Sequence, residues 1–157
     1  VYLAGIAAGK ATETDKLGYI YAFPIPQTLA NINAFQLGAQ SVNPDATVLV
    51  EYVSEDISNA FNDPDTGRQL ADQMVGAEAD VLFQVAGGSG VGVLAAACDN
   101  DLYAIGVDVD QFFSAPDYQD CLVTSAEKKI PPIPRKQATS TRRKSSACGL
   151  ASGITSQ

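Results

Sequence analysis

A chain of 157 residues with 46% hydrophobic content has room for one domain and enough apolar material for a real core. It contains no histidine, which excludes Cys/His zinc sites and Ser–His or Cys–His catalytic couples, and no apolar run long enough for a membrane-spanning helix. All eighteen acidic residues fall in 1–127 beside Lys10, Lys16 and Arg68, a balance of −15, while 128–157 carries seven basic residues and no acid. A body of that sign repels nucleic acid and anionic membrane surfaces. It reads either as an ordinary solvated surface or as one adapted to high salt.

Residues 1–16 lack the basic region and cleavage pattern of a signal peptide and read as a helix already under way at residue 1. A β-rich run over 17–23 stops at Pro24-Ile25-Pro26, and Pro26 suits the first turn of a helix, where a missing N–H costs nothing. In 27–40, Leu29, Ile32, Phe35 and Ala39 recur at helical spacing and predict one buried face. A turn over 41–45 leads to a strand over 47–53. A polar loop over 54–65, carrying Phe61, precedes a helix over 64–79 with Leu70, Met74 and Val75 as its expected buried stripe.

The segment 80–111 carries the most chemistry. A strand over 81–86 runs into Gly87, Gly88, Gly90 and Gly92; a helix over 89–99 follows, and a strand over 102–107 ends beside Asp108 and Asp110. Strand, glycine turn, helix, strand and carboxylate is how α/β proteins hold ligands at strand carboxyl ends. Glycines admit a ligand close to backbone amides, and a carboxylate some 20 residues on can accept from the hydroxyls of a ribose or other vicinal diol. The spacing is neither G-x-G-x-x-G nor a P-loop, so the plain alternative is a tight turn with close helix–sheet packing. A loop over 111–120 and a short strand over 121–124 complete an alternation that predicts a parallel, helix-flanked sheet.

Cys98, Cys121 and Cys148 are odd in number and widely spaced, which argues against a disulfide framework, and Cys98 is expected as a small buried core residue. Residues 128–157, rich in Pro, Ser, Thr and basic side chains without periodicity, are expected to form a disordered tail. A nucleic-acid role for that tail is opposed by its lack of interleaved aromatics.

Four segments in order, GYIYAFPIPQTLANINAFQLGAQSVNPDATVLVEYV, FNDPDTGRQLADQMVGAEADVLFQVAGGSGVGV, YAIGVDVDQ and VTSAEK, closely resemble the basic membrane protein family. These are purine nucleoside receptor-like, substrate-binding lipoproteins of ABC transporters, and the likeness covers about residues 2–128. The resemblance implies an α/β, type I periplasmic-binding-protein-like fold in which two Rossmann-like lobes close on a ligand. It implies a remnant of the first lobe and crossover in 1–23, a nearly complete ligand-binding lobe in 24–127, and a tail from 128.

By the same resemblance, Asp108 takes ribose hydroxyls, with Asp110 as the alternative contact. Gly87 and Gly88 present backbone amides, and Phe61 stacks on a purine. Lys128, at the end of Thr124-Ser125-Ala126-Glu127-Lys128, donates to ribose oxygens. The implied function is non-enzymatic capture of a nucleoside for an ABC permease, without cofactor, nucleic acid or metal. The implied location is extracytoplasmic, with membrane association only through an N-terminal lipid anchor that this chain does not contain. Two other readings stay open: a Rossmann-like nucleotide- or sugar-dependent enzyme, and a ligand-sensing regulatory domain.

Overall fold

A computed structural model describes residues 1–128. Helix α1 (Tyr2–Ala11) leads into strand β1 (Lys16–Tyr21), followed by α2 (Pro26–Gln40) and β2 (Thr47–Tyr52). Next come the short α3 (Ile57–Ala60), α4 (Pro64–Gly76) and β3 (Val81–Val85). A 3-10 turn over Gly87–Ser89 opens α5 (Gly90–Asp99), which returns to β4 (Tyr103–Asp108). The one-turn α6 (Gln111–Ser114) and a second 3-10 turn (Pro116–Cys121) precede β5 (Leu122–Glu127).

All five strands run parallel in the order β2-β1-β3-β4-β5. Alternate residues of the central strands therefore point to opposite faces, and each face has its own core. On one face Leu17, Tyr19, Val81, Phe83 and Ile105 meet α1 and α2 through Ala4, Ala8, Ile32, Phe35 and Ala39. On the other, Ile20, Leu82 and Ala104 meet α4 and α5 through Ala71, Met74, Val93, Leu94 and Ala97. The result is the helix–sheet–helix sandwich expected from the alternation of elements.

Within residues 1–23, β1 is hydrogen-bonded to both β2 and β3, and α1 shares a core with α2. Three expectations need correction. Leu29 is 63% exposed, because the inward stripe of α2 runs through Thr28, Ile32, Phe35 and Ala39 and Leu29 lies one residue off it, about 100° round the helix. In α4 the buried positions are Gly67, Ala71 and Met74, with Leu70 and Val75 only partly covered. Cys98 is not a free core thiol. It is disulfide-bonded to Cys121, with a Cα–Cα separation of 5.2 Å, because the second 3-10 turn folds back against the end of α5. Residues 129–157, expected as a disordered tail, lie outside the described residues.

Candidate ligand-binding site

In an open parallel sheet a crevice forms at the strand carboxyl ends where successive connections leave on opposite faces. Here that point lies between β1 and β3, since the connection after β1 carries α2 on one face and the one after β3 carries α5 on the other. Every residue singled out for ligand contact lies at this carboxyl edge.

Phe61 caps the end of α3 and is 48% exposed. It stands directly over the glycine turn. A Cβ on Gly87 would lie 3.3 Å from Phe61 Cδ1, and one on Gly88 would lie 2.8 Å from the Phe61 carbonyl oxygen. Gly87 also sits at φ +57°, in the left-handed region that favours glycine. The two glycines thus accommodate the Phe61 segment. Ser89 fixes this arrangement: fully buried, its Oγ donates to the Ala60 carbonyl at 2.9 Å and accepts from the Asp63 N–H at 2.8 Å. Asp63 in turn caps α4, and the N–H and hydroxyl of Thr66 hold its carboxyl below the ordinary carboxylate range.

Asp108 ends β4 at φ +68°, a left-handed conformation for a non-glycine residue. Its Oδ1 lies 2.6 Å from Lys128 Nζ, and its carbonyl accepts from the Lys128 N–H at 3.1 Å. Both side chains remain substantially exposed. Asp110 is otherwise engaged, since its carboxylate caps α6 by accepting from the Phe112 N–H at 3.1 Å. Of the two acids, Asp108 is the one that presents its carboxylate beside a cation.

Lys128 and Phe61 line a common cavity of about 250 Å³ with Tyr21, Thr28, Asn31 and Val85. Asn31, Val85 and Lys128 also line a groove of about 460 Å³ that continues between α1 and β5. Sequence reading missed Tyr21, Thr28, Asn31 and Ser89. Thr28 and Asn31 stand three apart in α2, where polar residues pass for a solvent face, and Tyr21 reads as sheet packing. Burial pushes the Tyr21 phenol up, and the nearby Glu51 carboxylate adds to the shift. Among the described residues no group of acidic or sulfur side chains is placed to hold a metal ion.

The family model for ABC transporter substrate-binding proteins of the PnrA-like type, Bmp, matches residues 1–138. The chain belongs to this family. Over 83 residues it is 47% identical to a Haloferax volcanii protein named as an ABC transporter glucose-binding protein, covering 53% of this chain and 20% of the relative. Over 118 residues it is 36% identical to an ABC transporter nucleoside-binding protein of Lactococcus lactis, covering 70% and 32%. A crystal structure of an ABC transporter solute-binding protein from Aeropyrum pernix superposes with a TM-score of 0.68 at 25% identity, covering 81% of this chain and 37% of that one. The chain thus spans between a fifth and two fifths of the length of these relatives, and the α/β fold expected from the sequence is that of the solute-binding structural neighbour.

Proposed function

We propose that the chain supplies one wall of a solute-capture site in an ABC importer and that the solute is a purine nucleoside. The observation that carries this reading is the grouping at one sheet edge of an exposed aromatic ring with a carboxylate–ammonium pair, Phe61 and Lys128 lining one cavity and Asp108 ion-paired to Lys128. An aromatic ring stacks on any base, and a carboxylate accepts two hydroxyls of a vicinal diol in charge-assisted hydrogen bonds. Gly87 and Gly88 let the Phe61 segment lie close against the turn that carries them. Capture requires no bond to be made or broken, so the reading is non-enzymatic. The name of the Lactococcus lactis relative agrees with it. The cavity of about 250 Å³ is below the roughly 300–1,000 Å³ usual for small-molecule sites, as befits one wall that a facing wall completes. The partners would be the nucleoside and the permease, and the protein would work outside the cytoplasm, where a Cys98–Cys121 disulfide persists.

A second reading has its own support. The Haloferax volcanii relative is named for glucose, and a carboxylate facing a stacking ring serves a hexose by the same chemistry. Calorimetric titration of adenosine, guanosine, inosine and D-glucose into the longest form of the protein its gene encodes separates the two. Heat with a nucleoside and none with glucose supports the first reading. Heat with glucose alone transfers the site to sugars, and no heat with any of them removes both.

A further inference from the structure

Beneath the crevice, two glutamine side chains form a single hydrogen-bonded pair. Gln84 of β3 is fully buried, and its Oε1 accepts from the Ala86 N–H at 3.1 Å. Its Nε2 donates to Gln111 Oε1 at 2.8 Å, and that same oxygen accepts from the Val107 N–H at 3.0 Å. The Gln111 N–H donates to Ser125 Oγ of β5 at 3.0 Å. Chemistry determines how both amides are turned. The N–H groups of Ala86 and Val107 can only donate, so each faces a carbonyl oxygen, and the Gln84 NH2 group is left to bridge the side chains.

The sequence clears a slot for this pair. A Cβ on Gly90 would overlap Gln84 Oε1, and a Cβ on Gly106 would lie 2.6 Å from both Gln111 Oε1 and Ser125 Oγ. Neither glycine has a positive φ, so both are small to make room rather than to turn the chain. An apolar side chain would fill a buried strand position without the desolvation that a primary amide must recover through hydrogen bonds. What the amides provide is connection. Ala86 immediately precedes Gly87, Val107 immediately precedes Asp108, and Ser125 lies on the strand that ends beside Lys128.

We propose that Gln84 and Gln111 are positioning residues: their amide pair sets the spacing between the glycine turn under Phe61 and the Asp108–Lys128 pair. The role in ligand capture rests on the proposed reading of this edge as the solute site, whereas the mechanical tie is measurable without any ligand.

Two nearly isosteric substitutions have opposite expectations. Gln111→Glu keeps an oxygen for both the Gln84 amide and the Val107 N–H. Gln84→Glu keeps an acceptor for Ala86 but removes the bridging donor and sets oxygen against oxygen. In amide hydrogen exchange on the 157-residue chain, Gln84→Glu should speed exchange at Val107 about tenfold or more, while Ala86 and the strand amide of Leu82 stay within about threefold. Gln111→Glu should leave all three near wild type. An unchanged Val107 in Gln84→Glu, or equal loosening at Leu82, overturns the tie.

In the longest form of the protein, adenosine affinity should fall about tenfold or more in Gln84→Glu and less than about threefold in Gln111→Glu. Equal losses, or intact affinity with a loosened Val107, overturn the positioning role. If the wild-type protein takes up glucose and no adenosine, the nucleoside reading fails, and the same comparison made with glucose decides the positioning role. If it takes up neither, the positioning role falls with the solute reading, and the exchange data alone decide the tie.

Discussion

Lys128 is joined to Asp108 twice, by its ammonium 2.6 Å from the carboxylate and by its backbone N–H to the Asp108 carbonyl at 3.1 Å. The carboxyl end of β5 is thereby fastened to that of β4, and a charge pair stands at the crevice mouth. Exposed pairs of this kind contribute about 0–1 kcal/mol to stability, so on the proposed reading the pair serves to orient the two groups toward a ligand.

Asp108→Ala should therefore weaken nucleoside binding by at least about 1.5 kcal/mol, the low end for hydrogen bonds to a charged group. Asp108→Gly should weaken binding equally while melting at a higher temperature than Asp108→Ala, because glycine relieves the φ of +68° at a cost that any L-residue otherwise bears. Equal melting temperatures for the two variants would show that this position carries no backbone strain.

Phe61 and Gly87 should separate binding from stability. Phe61→Ala removes a half-exposed ring and should leave the melting temperature nearly unchanged while costing about 1–3 kcal/mol of base stacking. Gly87→Ala forces a Cβ into the left-handed region and toward Phe61 Cδ1, and should destabilise the fold by about 1–2 kcal/mol. Thermal melts and titrations of the pair read both effects.

The Cys98–Cys121 disulfide closes a loop with a sequence separation of 23, containing β4, α6 and the second 3-10 turn. On the loop-entropy account, a crosslink of that span contributes about 3 kcal/mol. Reduction should lower the melting temperature, and the unreduced protein should resist alkylation at both positions. Ready labelling of Cys98 without reductant would contradict the pairing.

Acid should act through the caps. The carboxyl of Asp63 lies below its ordinary value through hydrogen bonds from Thr66, and that of Asp56 through those from Ser58. A depressed folded-state value means that unfolding raises proton affinity, so each group stabilises the fold at every pH above its unfolded value. That contribution falls away as pH drops below the ordinary carboxylate range and through the folded values. Asp63→Asn should lower the melting temperature at neutral pH and flatten its decline below about pH 4. Parallel acid limbs in the two proteins would show that the cap carries no linkage.

The −15 balance over 1–127 predicts a response to salt. Screening weakens self-repulsion among exposed carboxylates, so the melting temperature should rise from low to multimolar sodium chloride. A flat or falling curve would assign the acidic surface to solvation alone.

The sequence by itself determined the five strands and the longer helices and their order, while the short α3 and α6 formed in segments that read as loops. Apolar runs between Pro, Gly and Asn/Asp turns located the five strands, Pro26 marked the start of α2, and alternation with helices required a parallel sheet. The resemblance also named Phe61, Gly87, Gly88, Asp108 and Lys128, which all lie at the carboxyl edge, where the strand-to-helix connections of such a sheet emerge. What the sequence left open depends on contacts between residues far apart in the chain. Local periodicity could not order β1 between β2 and β3. It could not tell that the buried stripe of α2 would start at Thr28 and leave Leu29 exposed. Nor could it see that Cys121 returns to Cys98, that Phe61 packs on Gly87, or that Gln84 meets Gln111 in a slot cleared by Gly90 and Gly106. Those pairings exist only after the sheet has closed, because the burial that selects them comes from neighbouring strands rather than from neighbouring residues.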